Sequence, residues 1–252
     1  MFVKRMIDVH SHVLFKMDDG STDLQMSKEM LLAMVEQGVT DVFCTSHSWG
    51  HFDKYQNNLN ILRQESIDIP IKIHVGCEIE SYTTSELDEI IGDLLAGKIP
   101  TMSESNYILL EFQPQDTIEC IFSAIKKFKE RTQYDIIIAH LERYRILNEN
   151  REYVTRLEEM GCLFQINAHS LVDEVKVDTK EFARWLIDKQ LVTFIGSDSH
   201  RMNHRPPNVT SGVEYIYSHC PKEYADGICY RNAENFLLMN SQGEENNVSK
   251  FL

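Results

Sequence analysis

The feature of this sequence that most constrains its fold is a regular alternation of short apolar runs with helix-like segments. Seven runs rich in β-branched residues follow one another, at 6–12, 39–47, 71–80, 106–113, 134–140, 162–170 and 191–200. Continuous apolar runs of this length are typical of strands that are buried on both faces, as in parallel sheets. About seven βα units in a row, with no Pro/Gly-rich linker, predict one domain over residues 1–252 that forms a closed or nearly closed barrel.

Helix signals occupy the intervals between the runs, and four are clear: 21–38, 116–131, 151–161 and 180–190. The first is expected to open on Ser21 and Thr22, because hydroxyl side chains cap the amino ends of helices, and to stop at Gly38. The second begins at Asp116 with Glu119 three residues on, which is a capping-box pattern. The last thirteen residues are polar, and we expect them to fray.

Composition and charge exclude several classes of function. The 252 residues include 25 Lys and Arg against 39 Asp and Glu, which gives a formal net charge of −14. A surface this acidic repels phosphate backbones and anionic lipid, so binding to nucleic acid or to a membrane surface is not expected. No apolar run of about eighteen residues occurs, so neither a signal peptide nor a membrane span is predicted. None of the six cysteines forms a C-x-x-C pair, and the expected compartment is a reducing cytoplasm.

Metal-capable and polar side chains fall near the ends of almost all the predicted strands. They are His10, His12, His47, Glu78, Glu80, Glu111, His140, Asn167, His169, Asp198 and His200. A single histidine or glutamate at a strand end is usually a cap or a surface residue. Chance is a poor explanation for such residues at nearly every strand end, and in βα barrels the chemistry lies at the carboxyl ends of the strands.

The residue types indicate a metal site. Imidazole and carboxylate together suit Zn²⁺, Mn²⁺ and Fe, whereas the absence of paired cysteines argues against a structural zinc site. His10 and His12 alternate on one strand, so their side chains can reach the same ion. Several carboxylates allow bridging between ions, which two-metal hydrolytic sites need at a separation of roughly 3.5–4 Å.

Two arginines lie just beyond strand ends. Arg143 comes three residues after one strand-end histidine, and Arg205 comes five residues after another. In an acidic protein, arginines beside a metal cluster can clamp a phosphoryl group, since the guanidinium fork matches its oxygens. The alternative is that each pairs with a surface carboxylate. Arg145 and Arg201 are weaker candidates, and we expect both to be solvated.

The motifs IDVHSH…MDDG, TSH, GCEIE, LLEF, AHLERY, SDSH and RPP stand in this order along the chain. In order and spacing they resemble the polymerase-and-histidinol-phosphatase (PHP) superfamily. Within it they are most similar to the bacterial manganese-dependent protein tyrosine phosphatases of capsular and exopolysaccharide operons. The resemblance extends from about Ile7 to about Leu238, which is nearly the whole chain.

What the resemblance implies for the fold is a distorted (β/α)₇ TIM-like barrel that holds three metal ions. The implied metal is Mn²⁺, with Fe or Zn as alternatives. One ion would be surrounded by His10, His12, Glu78 and Asp198. Glu78 would bridge to a second ion, held also by Glu111 and His140, and a third ion would be held by Asp19, His47 and His200. Arg143 and Arg205 fall on the family's phosphate-binding arginines.

The implied activity is hydrolysis of phosphotyrosine, and the implied partner is a phosphorylated tyrosine tail of a kinase that controls polysaccharide export. Cysteine-dependent tyrosine phosphatases use a C-x₅-R loop, and no cysteine here has arginine six positions on. Removal of phosphate from tyrosine would therefore need metal ions. The sequence departs from the pattern at Leu141, where several relatives have proline, and in a loop after His47 that looks shorter than usual. His169, which the pattern does not require, is either a substrate-side or a structural residue.

Three alternatives remain open from the sequence. A histidinol-phosphate phosphatase of the same superfamily would need a pocket for one small cationic imidazole. An amidohydrolase barrel could use His140, His169 and Asp198, but such enzymes commonly have a metal-bridging lysine where this chain has Glu111. A non-enzymatic module that keeps metal ions for stability is disfavoured by the complete set of ligands and arginines.

Overall fold

The structure is a computed structural model, and it describes residues 4–47, 51–81, 84–113, 115–172, 175–235 and 237. Within these ranges eight strands occur: β1 (Met6–Ser11), β2 (Val39–Cys44), β3 (Lys72–Val75), β4 (Glu78–Ser81), β5 (Tyr107–Phe112), β6 (Asp135–Ile138), β7 (Leu163–Asn167) and β8 (Phe194–Gly196). One sheet has the order β1-β2-β3 and the other the order β4-β5-β6-β7-β8. All pairs of neighbouring strands are parallel, which confirms the predicted α/β class.

The third apolar run, 71–80, forms two strands where the sequence predicted one. β3 pairs with β2 whereas β4 pairs with β5, so the chain changes sheets at Gly76 and Cys77. A Cβ at Gly76 would lie 3.1 Å from Cγ2 of Thr45 and 3.2 Å from a methionine sulfur, so this crossing has little room for a side chain. The Glu78 N–H nevertheless donates to the Thr45 carbonyl at 2.8 Å, which joins the two sheets at this point.

The chain segments at the carboxyl ends of β1 and β8 also meet. The Asp198 N–H donates to the His10 carbonyl at 2.7 Å, and the His12 N–H donates to the Ser199 carbonyl at 2.8 Å. These backbone bonds hold His10 and His12 beside Asp198, which comes nearly 190 residues later in the sequence.

Helices fill the intervals between strands, as the alternation predicted. They are α1 (Leu24–Glu36), α2 (Phe52–Glu65), α3 (Thr84–Leu95), α4 (Ile118–Arg131), α5 (Arg145–Glu149), α6 (Glu152–Glu159), α7 (Val177–Asp188), α8 (Thr210–His219) and α9 (Lys222–Asp226). A π-helical turn at Gly227–Arg231 follows α9. The last thirteen residues, which were expected to fray, lie outside the described residues.

The predicted helix caps are wrong by one or two positions. α1 is capped by Asp23 rather than by Ser21 or Thr22. The Asp23 carboxylate accepts a hydrogen bond from the backbone N–H of Met26 at 3.0 Å. α4 is capped by Thr117 rather than by Asp116. The Asp116 carboxylate instead accepts from a backbone N–H of the preceding turn at 2.9 Å, so it is not available to the helix. Several cap-forming residues in a row leave this choice to the tertiary contacts.

Apolar side chains form two clusters. The larger one joins the helices to the strands and includes Leu31, Val42 and Phe182. The smaller one lies between strands of both sheets and contains Ile7, Val9, Phe43, Leu109, Ile137, Ala139 and Phe194. Full burial of a side chain such as Phe43 contributes roughly 1.5–3 kcal/mol, and this packing fixes the strands whose ends carry the polar residues.

Two other observations bear on the sequence analysis. Cys44 and Cys77 are buried, and burial raises the pKa of the Cys44 thiol to about 12, which makes it unreactive. No helix in the described part of the chain is long and apolar enough to span a membrane.

Candidate metal centre

Four buried side chains meet where the carboxyl ends of β1 and β8 face the start of β4, and we call them the inner cluster: His10, His12, Glu78 and Asp198. Oε2 of Glu78 lies 3.0 Å from Nε2 of both His10 and His12. Oδ1 of Asp198 lies 3.5 Å from the same two nitrogens. Two imidazoles and two carboxylates thus direct one ligand atom each at a common point, as the alternation of His10 and His12 on β1 predicted.

A second group shares Glu78 with the inner cluster. Nε2 of His140 lies 3.0 Å from Oε1 of Glu78 and 3.1 Å from Oε1 of Glu111. The two oxygens of Glu78 therefore face two different sets of ligands, which is the geometry of a bridging carboxylate. Oε1 of Glu78 is buried and has no hydrogen bond of good geometry, although the histidine lies near it.

The electrostatics of these two groups favour positive charge at their centre. Burial alone would raise the pKa of Glu78, but the histidines around it, His10 first, outweigh burial and hold that pKa well below its usual range. Burial and Arg143 would lower the pKa of His140, but the nearby carboxylates of Glu111 and Glu78 outweigh them and raise that pKa to about 9. A divalent cation at this point supplies the same positive charge without a proton.

The third predicted set, Asp19, His47 and His200, is only partly assembled. Oδ1 of Asp19 lies 3.4 Å from Nε2 of His200, and the Asp19 side chain is 62% exposed. His47 does group with Asp19, together with His12 and Asp18, and it forms a second group with Glu80 and Glu111, but among the described residues His200 is in neither group. Asp19 and His47 are therefore more exposed than the inner cluster, whereas His200 is buried, and the three are less closely gathered.

Two carboxylates near the centre, Asp18 and Glu80, were not among the predicted ligands. Half-buried Asp18 accepts from Nδ1 of His12 at 2.7 Å and from the backbone N–H of His47 at 2.8 Å. The motif MDDG contains both adjacent aspartates, and the sequence has no signal for which one turns inward. Glu80 is among the strand-end residues that the sequence indicated, although it was assigned to no ion; it alternates with Glu78 on β4 and stands opposite Glu111 in register.

Four histidines have their Nδ1 nitrogen committed to an acceptor, and for His10 the acceptor is Oε1 of Gln165 at 2.9 Å. His12 faces the Asp18 carboxylate, His47 faces the Glu78 carbonyl at 3.1 Å, and His200 faces the Asp198 carbonyl at 2.9 Å. Neither a carbonyl oxygen nor the ionised Asp18 carboxylate can donate, so the hydrogen lies on Nδ1 and Nε2 is turned to the cluster. Hydrogen bonds of this kind orient histidine ligands in metal sites. This donor set, nitrogen and oxygen without thiolate, fits a divalent ion such as Mn²⁺, Fe²⁺ or Zn²⁺.

The two predicted arginines converge on the inner cluster. Nη2 of Arg143 and Nη1 of Arg205 lie 2.5 Å and 3.2 Å from Oδ2 of Asp198, and Arg205 also contacts Nε2 of His200. Their side chains are 31% and 32% exposed, so both border the buried ligands and the solvent. Asp198, Arg205 and His140 all have positive φ, at 51°, 52° and 32°. Left-handed backbone at non-glycine residues is strained, and such strain concentrates at functional sites.

The other singled-out residues lie elsewhere or act differently. Arg145 is 84% exposed and pairs only locally with Glu149, as predicted. Arg201 was expected to be solvated, but its Nε donates to the carbonyls of Asp19 and Gly20 at 2.9 Å and so ties down the MDDG loop. Within the described ranges, His169 belongs to none of the metal-capable groups.

Together, the parallel α/β fold and this cluster define a protein with a buried group of metal-capable histidines and carboxylates, bordered by two arginines. The chain matches the family model described as "Capsular polysaccharide synthesis, CpsB/CapC" over residues 6–238, and it belongs to this family. The family resemblance carried by the motifs is thereby confirmed.

Relatives of known name agree with this membership. The chain is 31% identical over 242 residues to the tyrosine-protein phosphatase CpsB of Streptococcus agalactiae, which covers 92% of this chain and 98% of that protein. It is 30% identical over 250 residues to the tyrosine-protein phosphatase YwqE of Bacillus subtilis, which covers 93% and 91%. Its structure is similar to one from a study of B. subtilis YwqE and Streptococcus pneumoniae CpsB, described as "unique metal-dependent tyrosine phosphatases". The TM-score is 0.79 and the sequence identity is 28%, and the match covers 92% of this chain and 94% of the other.

Proposed function

We propose that this chain is a metal-dependent protein tyrosine phosphatase. The observation that carries the proposal is the convergence of Arg143 and Arg205 on Asp198, one of four buried metal-capable ligands. Two guanidinium groups beside a divalent-metal site suit a phosphoryl group, which presents several negative oxygens at once. The names of the relatives, tyrosine-protein phosphatases, support the choice of substrate.

The proposed fold is a single domain, a distorted (β/α)₇ barrel closed at two seams. One seam is the pair of backbone bonds between the segments at the ends of β1 and β8. The other is the crossing at Gly76, where β3 and β4 together serve as one strand position, which reduces eight strands to seven positions. Closure of this kind would bring all the strand ends around one centre, where barrel enzymes have their active sites.

The proposed metal ligands are those that the resemblance implied. His10, His12, Glu78 and Asp198 would hold one ion, Glu78, Glu111 and His140 a second, and Asp19, His47 and His200 a third. Mn²⁺ is the proposed metal, with Fe or Zn as alternatives of the same donor preference. Divalent ions in such sites supply Lewis acidity and activated water at neutral pH.

The chain's own contribution to the reaction is to bind and orient the phosphoryl group. Arg143 and Arg205 would hold its equatorial oxygens, which gain charge in the transition state, and so would bind that state more strongly than the substrate. A phenolate has a conjugate-acid pKa of about 10, so a tyrosine leaving group needs less protonation than a serine alkoxide. No nucleophilic side chain is required.

The proposed partner is the tail of a kinase that controls polysaccharide export, phosphorylated on tyrosine. The proposed place of the reaction is the cytoplasm. The family description, capsular polysaccharide synthesis, supports this context. The net charge of −14 argues against a nucleic-acid partner and against a membrane surface.

The experiment compares kcat/KM on a phosphotyrosine peptide with kcat/KM on histidinol phosphate, each before and after chelation. We expect the peptide to be hydrolysed with the higher kcat/KM, and both activities to disappear with the chelator. Brisk turnover of histidinol phosphate without any turnover of phosphotyrosine peptides would replace this proposal with the small-substrate alternative. Activity that survives complete removal of metal would overturn it altogether.

A further inference from the structure

The side chain of Gln165, on β7, lies buried between two of the proposed metal sites. Its Oε1 is 2.9 Å from Nδ1 of His10 and 2.8 Å from the backbone nitrogen of His140. Glutamine is not a metal ligand of the usual kind, and nothing in the proposed chemistry uses it. It nevertheless contacts ligands assigned to two different ions.

The direction of each hydrogen bond in this network follows from one backbone group. The His140 N–H can only donate, so the atom of Gln165 that faces it must be the amide oxygen. That oxygen can only accept, so Nδ1 of His10 must carry a hydrogen. Because Nδ1 carries the hydrogen, Nε2 of neutral His10 has the free lone pair, and it is Nε2 that points to Glu78 and Asp198.

The network continues to the carboxylate of the inner cluster. Nε2 of Gln165 donates to Oδ1 of Asn167 at 2.9 Å, and Nδ2 of Asn167 donates to Oδ2 of Asp198 at 3.2 Å. Arg143 also binds Oδ2, so these donors occupy one carboxylate oxygen. The other oxygen, Oδ1, is the one that faces the two histidines of the inner cluster.

The packing leaves the network little freedom to change. A Cβ at Gly196, the last residue of β8, would lie 2.6 Å from Cβ of His10 and 2.9 Å from Nε2 of Gln165. The absence of a side chain at Gly196 is therefore what lets β1, β7 and β8 approach closely enough for these bonds. The Asn167 N–H in turn donates to buried Glu142 at 3.1 Å, which anchors the end of β7.

We propose that Gln165 and Asn167 are positioning residues that set the metal-binding form of His10 and the orientation of Asp198 before any ion binds. The inference rests on the proposed metal centre and assigns these two amides a role in it. Gln165 selects the Nδ1–H tautomer of His10, and Asn167 turns Oδ1 of Asp198 to the ion. Hydrogen-bond partners of metal ligands typically contribute about 10–100-fold to metal affinity or activity.

The test uses two substitutions of Gln165 and one control. Gln165→Met has a similar volume and removes both the acceptor and the donor, whereas Gln165→Glu keeps the acceptor for His10 and His140. The control is Asn232→Leu, which removes a partly buried amide that donates to the Thr193 carbonyl at 2.9 Å, just before β8. It perturbs β8 at the end away from the cluster.

The first readout is independent of metal and of activity. In metal-free protein at a pH where His10 is neutral, ¹⁵N NMR of its ring should show the Nδ1–H tautomer in the wild type, Gln165→Glu and Asn232→Leu, but not in Gln165→Met. The second readout is Mn²⁺ affinity, which should fall by roughly 10–100-fold in Gln165→Met, clearly less in Gln165→Glu, and not in Asn232→Leu.

Each outcome decides between the inferences. An Nε2–H tautomer of His10 in the wild type, or unchanged Mn²⁺ affinity in folded Gln165→Met, would overturn the positioning role while leaving the phosphatase proposal intact. Equal losses of Mn²⁺ affinity in Gln165→Met and Asn232→Leu would show that Gln165 acts only through packing, which would overturn its positioning role. If wild-type protein shows the expected tautomer and Mn²⁺ binding but no phosphatase activity, only the proposed function fails.

Discussion

Two buried aspartates in this molecule each face two cationic side chains, and the comparison between them separates a structural ion pair from a site. Asp226 accepts from the Tyr217 hydroxyl at 2.8 Å and pairs with Lys222 and Arg231 at 2.5 Å and 3.0 Å. All three partners lie within nine residues of it in sequence. The two cations are 76% and 50% exposed, so water shares in solvating them.

Asp198 has surroundings of another kind. Arg143 and Asn167 reach it from other strand ends, and its Oδ1 faces the Nε2 atoms of two buried histidines at 3.5 Å. The Nδ1 atoms of those histidines are already committed to Gln165 and Asp18, so neutral rings have no hydrogen to offer. The carboxylate of Asp226 has hydrogen-bond donors as its partners. Asp198 instead belongs to the inner cluster, whose ligand atoms face a point where a cation could bind. Polar side chains that come from distant parts of the chain, and whose free ligand atoms face one point, therefore indicate function more strongly than burial or charge pairing alone.

The largest expected effect comes from exchanging the two aspartates for alanine. Asp198→Ala should lower kcat/KM on a phosphotyrosine peptide by about 10³-fold or more, because loss of an inner ligand removes several kcal/mol of transition-state stabilisation. Asp226→Ala should keep near-normal turnover and metal content, but lower the free energy of unfolding by about 1–2 kcal/mol. Replacing His10 and His12 together should act as Asp198→Ala does. Near-normal activity with normal metal content in Asp198→Ala or the double histidine variant would show that the site is wrongly placed.

The arginines around Asp198 should have the next largest effect. Arg143→Ala and Arg205→Ala should each lower kcat/KM by about 10²–10³-fold, as loss of a charged donor to a transition-state oxygen does. Metal content should stay unchanged, and lysine should restore activity only in part, since it lacks the guanidinium fork. Arg145→Ala is the matched control, because it lies two residues from Arg143 and is almost fully exposed. Wild-type rates in both arginine variants would place the phosphate clamp elsewhere and favour amide chemistry.

The two adjacent aspartates of MDDG sharpen the difference between inner and outer ligands. Asp19→Ala should lower the metal content by about one ion per chain, because this exposed side chain is a proposed ligand of the outermost ion alone. Asp18→Ala should instead weaken metal binding by roughly 10–100-fold, since it orients His12 and His47 without being assigned to an ion. Elemental analysis and Mn²⁺ titration of both variants give the answer. The reverse pattern would exchange the roles of the two residues.

The smallest expected effect is a change with pH in the free energy of unfolding, caused by the carboxyl group of Asp226. Burial would raise the pKa of this carboxyl, but the bonds from Lys222 and Tyr217 outweigh burial and lower it. A lowered folded-state pKa means that the stabilisation is present above the unfolded pKa, about 4, and is lost as the pH falls through the folded value. Urea unfolding of wild type and Asp226→Asn should therefore show a stability difference that is constant near pH 6 and narrows below about pH 4. A difference that grows on acidification would contradict this.

Much of the fold could be predicted from the sequence, because the relevant signals are periodic. Buried parallel strands need apolar runs and their connections need amphipathic helices, so the alternation identified both. The division of residues 71–80 between two sheets was missed, since a continuous apolar run looks the same whether or not it changes partners. Helix caps were missed where several candidates stand together, as at Ser21, Thr22 and Asp23.

The candidate site could be predicted in composition but not in its supporting contacts. Ligand types at strand ends are visible in the sequence, and parallel strands bring those ends to one edge. The choice between Asp18 and Asp19 depends on how one loop turns, which Arg201 influences from 182 residues away. Asn167 was indicated by its position at a strand end, but Gln165, which shares its face of β7, was not, because amides are so common that only its contacts distinguish it.

The central claim, that bound metal at the inner cluster is required for phosphate chemistry, is tested most directly by titration. Purified protein is stripped with a chelator, its residual metal is measured, and Mn²⁺ is added back in known equivalents during hydrolysis of a phosphotyrosine peptide. The account predicts no turnover in metal-free protein and a rise that levels off at about two to three ions per chain. Full turnover in protein shown to contain no metal would contradict it.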